Sequence, residues 1–499
     1  MQEYRAILIS LLLGSGLAWG QKPPIADPKS PPREWTSTDG RKITATYLGV
    51  QNASVALRLP GGKITFVPTS KFSAEDNAFV QANLFDYRAA WQAWPPESKE
   101  AMALVPVDED KNDPKFPGAF IYKTPHFRFI ADVNLGTALM KDLARVFELT
   151  YHLHSTSPLG TLAKPENNGL FDAKLFGKTE SYHTAGGPES TAGVYLLKEK
   201  VFLAPLDLMG VREGSTGWRK DSNYYDLSTI IHELTHMLTH GMLDNLPTWV
   251  NEGYAEYVAN IPMEKNAFMT ADGKIRDGVL DVLINYTDKI HGAKKIRTGV
   301  LSKADHINFA KQDNGPVLFK VEDVLMMNDV LWSTGSKTPP PPGTAFPPPK
   351  PPWIRFPGTV VTGEESYLRL PRLYRTAHLI IYYFIQIEGE KGVLKIRRFL
   401  EENQKNMARY QKYLEDFKAY QTKVAAFMNL PGVTKLDDGR IQYPSNLTPP
   451  VSPQAPFTDP DTLKLGGVNA LLGGESASVV GARIEAALIE DLGVKLQFK

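Results

Sequence analysis

Two histidines four residues apart, with a glutamate directly after the first, stand at His232-Glu233-Leu234-Thr235-His236. On a helix, residues four apart share a face, so both imidazoles can aim at one point. Neutral imidazole nitrogens are good ligands for zinc. Glu233 falls one residue further round the helix, near a metal yet outside its ligand set. There a carboxylate can take a proton from water held at the ion. With 10 histidines in 499 residues, composition alone gives roughly 0.01 such His-Glu-x-x-His matches. The competing explanation is a solvated helix face with two incidental histidines. Against it, Ile230, Ile231, Leu234, Met237 and Leu238 make the stretch apolar and imply burial. Two buried histidines beside a buried glutamate would be costly without a metal or matched partners.

A third histidine six residues past His236 would complete the metzincin pattern, but Met242 occupies that position and Thr239 stands where the pattern needs glycine. Instead a second helical stretch follows from Leu246 to Tyr257, and Glu252 lies 16 residues past His236 (252 − 236). Glu252 can complete a His, His, Glu site and leave a fourth position open for water. Its other reading is a carboxylate meeting the dipole at a helix N-terminus. Glu256, one turn further on, can accept the second N–H of a ligating histidine and fix that ring.

This pattern, His232-Glu233-Leu234-Thr235-His236 followed by Asn251-Glu252-Gly253 and Ala255, resembles the gluzincin metallopeptidases, the clan of thermolysin and the aminopeptidase N family. A further stretch, Leu373 to Phe384, resembles the aminopeptidase helix that opens on a tyrosine and continues apolar. The resemblance implies that Tyr374 donates its hydroxyl to the oxyanion of a tetrahedral intermediate; its alternative is an aromatic packed in a helix bundle. The Gly-x-Met-Glu-Asn segment with which aminopeptidases grip a free amino terminus is missing. Gly193-Val194-Tyr195 occupies the comparable hairpin without a glutamate. An endopeptidase is therefore favoured over an exopeptidase.

The elements that must position these residues are legible in outline. Ala119 to Tyr122 and His126 to Ala131 read as strands, Leu139 to Tyr151 as a helix, and Ala192 to Leu197 with Lys200 to Ala204 as a hairpin just before the histidines. Beyond a proline-rich segment at 338–352, which reads as extended polyproline, Leu373 to about Glu388 and Gly392 to Ala425 read as helices. In the tail at 431–499, only Ala477 to Leu492 does. The proline-rich segment and the tail are both candidate lids.

Near the start, Arg33 to about Leu84 alternates in short strands broken by turns: Ile43 to Leu48, Ser54 to Leu59, a Pro60-Gly61-Gly62 turn and Lys63 to Pro68. Ser73 and Asp76 fit the N-cap and N3 positions of a short helix. A five-strand barrel of about 50 residues fits this pattern. Arg33, Trp35-Thr36, Asp39-Gly40, Gly61-Gly62 and Phe72-Ser73 with Asp76 resemble the Sla-type homology domain, an SH3-like barrel of exported bacterial proteins. That resemblance implies an envelope or peptide ligand for the barrel; a purely structural barrel is the alternative.

Met1 to Arg5 carries one arginine, Ala6 to Trp19 is apolar, and Ala18 and Gly20 place small residues before Gln21. This reads as a signal peptide at 1–20, cleaved near Gly20/Gln21, with export to the periplasm or outside the cell. The run is too short and glycine-broken for a convincing span, and no later stretch suggests a stable membrane span. With 56 Lys+Arg against 55 Asp+Glu, the chain has no basic excess for nucleic acid. It has no cysteine, which excludes disulfides and thiolate chemistry.

The sequence thus predicts an α+β chain: signal peptide 1–20, leader 21–32, SH3-like barrel 33–85, linker 86–115, and a catalytic domain of mixed sheet and zinc helices at 116–337. After the segment at 338–352 come a helical continuation of that domain at 353–430 and the tail. The expected activity is Zn²⁺-dependent hydrolysis of a peptide or protein. The alternatives are a weak or inactive zinc-fold scaffold of the cell envelope and a hydrolase of non-peptide amides.

Overall fold

The computed structural model describes residues 32–51, 54–61, 63–82, 94–95, 106–110, 115–165, 169–189, 191, 193–221, 227–243, 246–264, 267–270, 273–290, 301–312, 315–334, 364–436, 441–456 and 464–499. The expected signal peptide, all of the leader but Pro32, and the proline-rich segment lie outside these. The chain divides into two compact units, Met1–Gln92 and Ala93–Lys499. Of the described residues, 48% are helical and 19% are in strands, so the fold is α+β.

In the first unit, strands β1 (Arg33–Thr36), β2 (Lys42–Gln51), β3 (Ser54–Arg58) and β4 (Ile64–Pro68) form one antiparallel sheet in sequence order. Among the described residues there are four strands where five were expected. The remaining pairing is a single bridge between Ser37 and Phe72, because the chain turns straight into helix α1 (Ala74–Ala82). Ser73 Oγ accepts from the Asp76 backbone N–H at 3.2 Å. Asp76 in turn takes the Thr36 N–H at 2.6 Å and the Arg33 guanidinium at 2.7 Å. The core closes on Trp35, which is fully buried against Tyr47, Phe72 and Phe79.

The second unit holds a six-stranded sheet of β5 (Asp108–Asp110), β6 (Phe120–Lys123), β7 (Phe127–Ala131), β8 (Phe171–Phe176), β9 (Val194–Leu196) and β10 (Val201–Pro205), in the order β5-β6-β7-β8-β10-β9. Strands β7, β8 and β10 are parallel, while β9 joins the edge antiparallel. Every residue of β7 and β10 is buried, as central parallel strands require. The 86–115 stretch read as linker contributes β5 and the buried Trp94, whose indole N–H donates to Leu153 O.

Helix α2 (Gly136–Ser155) crosses from β7 to β8. After α3 (Thr179–Thr184), helix α4 (Ser228–Thr239) carries the histidines and α5 (Thr248–Ala259) carries Glu252. Helices α6 (Lys274–Ile290), α7 (Lys303–Ala310), α8 (Val321–Leu325), α9 (Asp329–Thr334), α10 (Glu364–Tyr382) and α11 (Glu390–Met428) follow, with a π-helical turn, Tyr383–Ile387, before α11. The tail adds α12 (Val468–Leu472) and α13 (Ala477–Leu492). Its last helix packs into the fold: Val480, Ile484 and Leu488 of α13 are buried, and Tyr382 of α10 donates to Asp491 at 2.7 Å. Among the described residues no helix is long and apolar enough to cross a membrane.

Candidate metal centre

Helix α4 has two functions on two faces. Ile230, Leu234, Met237 and Leu238 recur at helical spacing and sink into the core beside Phe147 and Phe202. That burial holds the opposite face, with His232 and His236, toward α5. Between the helices the chain turns quickly, with Met242 and Leu243 both donating back to Thr239 O. Thr248 then starts α5, its N–H and hydroxyl held by Asp329 of α9 at 3.0 and 2.7 Å. This carboxylate meets the positive end of the α5 dipole.

His232, His236 and Glu252 converge, with one donor atom from each within 4.8 Å of the others. His232 Nε2 lies 3.1 Å from His236 Nε2 and 3.2 Å from Glu252 Oε2, and His236 Nε2 lies 3.6 Å from that oxygen. A tetrahedral ion with bonds of about 2.0–2.2 Å holds its donors about 3.3–3.6 Å apart. With sides of 3.1, 3.2 and 3.6 Å, the triangle comes close to that spacing, and the three residues could hold a metal ion. The far ring nitrogens decide the tautomers. His232 Nδ1 faces Glu256 Oε1 at 3.4 Å and His236 Nδ1 faces Asn251 Oδ1 at 3.1 Å. With each Nδ1 donating to these oxygens, the neutral rings would have both Nε2 atoms free to offer a lone pair to one ion.

The electrostatics agree with a cation-ready pocket. Burial works to lower the pKa of His232, but Glu252 and Glu256 outweigh it and hold it well above the usual range. His236 is likewise raised on balance, against its burial, by Glu252. For Glu252, burial pushes upward, yet His236 and His232 keep it below the ordinary carboxylate range. Glu256, also pushed up by burial, is drawn down to about 2 by Arg375 and His232.

Glu233 stands beside the triangle. One carboxylate oxygen accepts the Tyr195 backbone N–H from edge strand β9 at 3.2 Å. Its burial raises its pKa, only partly offset by the two histidines, the direction a general base needs. The Tyr374 ring lies 6.3 Å from that of His232 and its hydroxyl interacts with the Glu252 carboxylate. Burial and the nearby glutamates push that hydroxyl's pKa far up, so it remains a proton donor. Thus the structure brings His232, His236, Glu252, Glu233, Glu256 and Tyr374 together.

Sequence reasoning missed three supports. Asn251 was seen only as part of a motif, yet it orients His236. Arg375 ion-pairs with Glu256 at 2.5 Å and carried no signal beyond following Tyr374. His154 of α2 is buried where α4 and α5 meet, 3.3 Å from Thr235 Oγ1 and 3.5 Å from the Tyr254 hydroxyl. Burial lowers its pKa from 6.5 to about 3. The fold accepts only the neutral ring, so below pH 6.5 the unfolded chain takes up the proton first. In metal-free protein, unfolding free energy should therefore fall as pH drops from 6.5 toward 3, by up to about 1.4 kcal/mol per unit from this group. Urea titrations of the parent and of His154→Gln over this range check it; equal slopes would refute the assignment.

Compared with known proteins, the chain matches no family model, no curated protein and no solved structure.

Proposed function

We propose that this chain is an exported zinc-dependent peptidase of the gluzincin type, acting as an endopeptidase on peptide or protein substrates. The observation that carries the reading is the convergence of two imidazole nitrogens and one carboxylate, each ring held from behind. A carboxylate beside the triangle supports a hydrolase over a purely structural zinc site, which fills all four positions with protein ligands.

His232, His236 and Glu252 would hold Zn²⁺, which when bound supplies Lewis acidity toward a carbonyl and acidifies water. Glu233, held by the Tyr195 N–H, takes the proton of the attacking water and delivers it to the leaving amine. Tyr374 donates its hydroxyl to the oxyanion that develops. Glu256 and Asn251 keep the two rings turned so that neither histidine swings out of line. Edge strand β9, with Gly193 just before it, places Val194 and Tyr195 beside the base and offers no carboxylate for a free amino terminus, which favours internal cleavage. The N-terminal unit, read as an SH3-like module, is assigned to an envelope or peptide ligand.

Metal analysis and proteolysis test this together. The purified chain should hold one zinc per molecule and cleave a mixed unfolded-protein substrate. A chelator should remove both properties, and added zinc should restore both. A zinc-loaded chain that cleaves no peptide would overturn the peptidase reading and leave scaffolding or hydrolysis of a non-peptide amide.

A further inference from the structure

Tyr374 and Arg375 are neighbours on α10, and Glu252 and Glu256 are one turn apart on α5. The two pairs meet: Tyr374 interacts with Glu252, and Arg375 Nη1 binds Glu256 Oε2 at 2.5 Å. Asn260 Nδ2 approaches the same oxygen at 3.3 Å. With Oε2 taken, Oε1 is the oxygen left to face His232 Nδ1, at 3.4 Å. A carboxylate free to rotate about its last bond could present either oxygen or neither; here a guanidinium from another helix removes that freedom. Glu256 is also largely buried and sits one turn from a second carboxylate, so it needs a cation on its far side. Arginine is charged at every pH a protein meets and binds carboxylates in a fixed direction.

We infer that Arg375 is a positioning residue of the metal centre: by fixing Glu256 it sets the orientation of the His232 ring and so the affinity for zinc. This rests on the zinc reading above. It adds a helix the ligands do not come from, and makes α10 part of the metal centre.

The test measures zinc affinity of the full chain by competition with a chromophoric chelator, with no substrate present. Arg375→Gln should weaken zinc binding about 10-fold or more, as loss of a ligand's orienting partner does. Arg375→Lys should recover part of the loss, since it keeps the charge but not the planar guanidinium whose Nη1 reaches Glu256. In a Glu256→Gln background, Arg375→Gln should cost nothing further. Circular dichroism and thermal unfolding of each metal-free variant identify any that do not fold, and Arg375→Lys then carries the same cycle. The inference falls if the parent binds zinc and Arg375→Gln binds it equally tightly, or if the loss is the same with and without Glu256. A parent chain that binds no zinc overturns the zinc reading itself.

Discussion

A Glu233→Gln chain is expected to lose peptide hydrolysis by about 10²- to 10⁴-fold, the usual contribution of a positioned general base, while still holding one zinc. Glutamine keeps the shape of the side chain and an oxygen for the Tyr195 N–H that binds Glu233 at 3.2 Å. The substitution removes only the capacity to take a proton. The loss corresponds to about 3–5.5 kcal/mol of transition-state stabilisation, far more than one exchanged hydrogen bond contributes to folding. Steady-state kinetics beside metal analysis separates the effects: a fall in kcat at unchanged zinc content supports the base. Parental turnover with normal zinc would remove Glu233 from the mechanism.

Gly253→Ala is expected to damage stability and zinc binding together, although alanine is the better helix former. A Cβ at this position would lie 2.7 Å from Ala377 O and 2.8 Å from its carbonyl carbon. Both are backbone atoms of α10 that cannot swing aside. Helix propensity favours alanine by about 1 kcal/mol, while forcing an extra carbon into a packed interior costs about 1–3 kcal/mol; the clash wins. The displaced helix is the one carrying Tyr374 and Arg375, so their contacts to Glu252 and Glu256 loosen as well. Thermal unfolding and chelator competition should both move downward. A more stable variant with unchanged zinc affinity would mean that the two helices do not need their close approach.

What the sequence revealed about the site follows the reach of local geometry. His232, Glu233 and His236 share one helix, and Glu252 and Glu256 share the next, so spacing alone could pair them. Asn251, His154 and Arg375 act through side chains that meet only after distant helices pack, and no periodicity marks such meetings. The same holds for the sheet. Strand β7 was legible because Phe127, Phe129, Ile130 and Ala131 are apolar around a single Arg128, whereas β8 was missed because Asp172 and Lys174 interrupt it. Asp172 is tolerated inside by the guanidinium of its register partner Arg128, at 2.8 and 2.6 Å, a cross-strand compensation invisible along the chain. Helix α13 was read at its observed bounds, Ala477–Leu492, since Ser476 caps it and Gly493 ends it in the left-handed conformation.

The contact between Arg375 and Glu256 spans 119 residues of sequence, and the helix that provides it leans on Asp491. A ribosome that has delivered both histidines and Glu252 has therefore not yet produced the complete candidate metal centre. The partner that steadies His232 arrives far later, and the segment that steadies that partner later still. Chain order thus imposes a delay: a half-made polypeptide carries His232, His236 and Glu252 without the frame that aligns them.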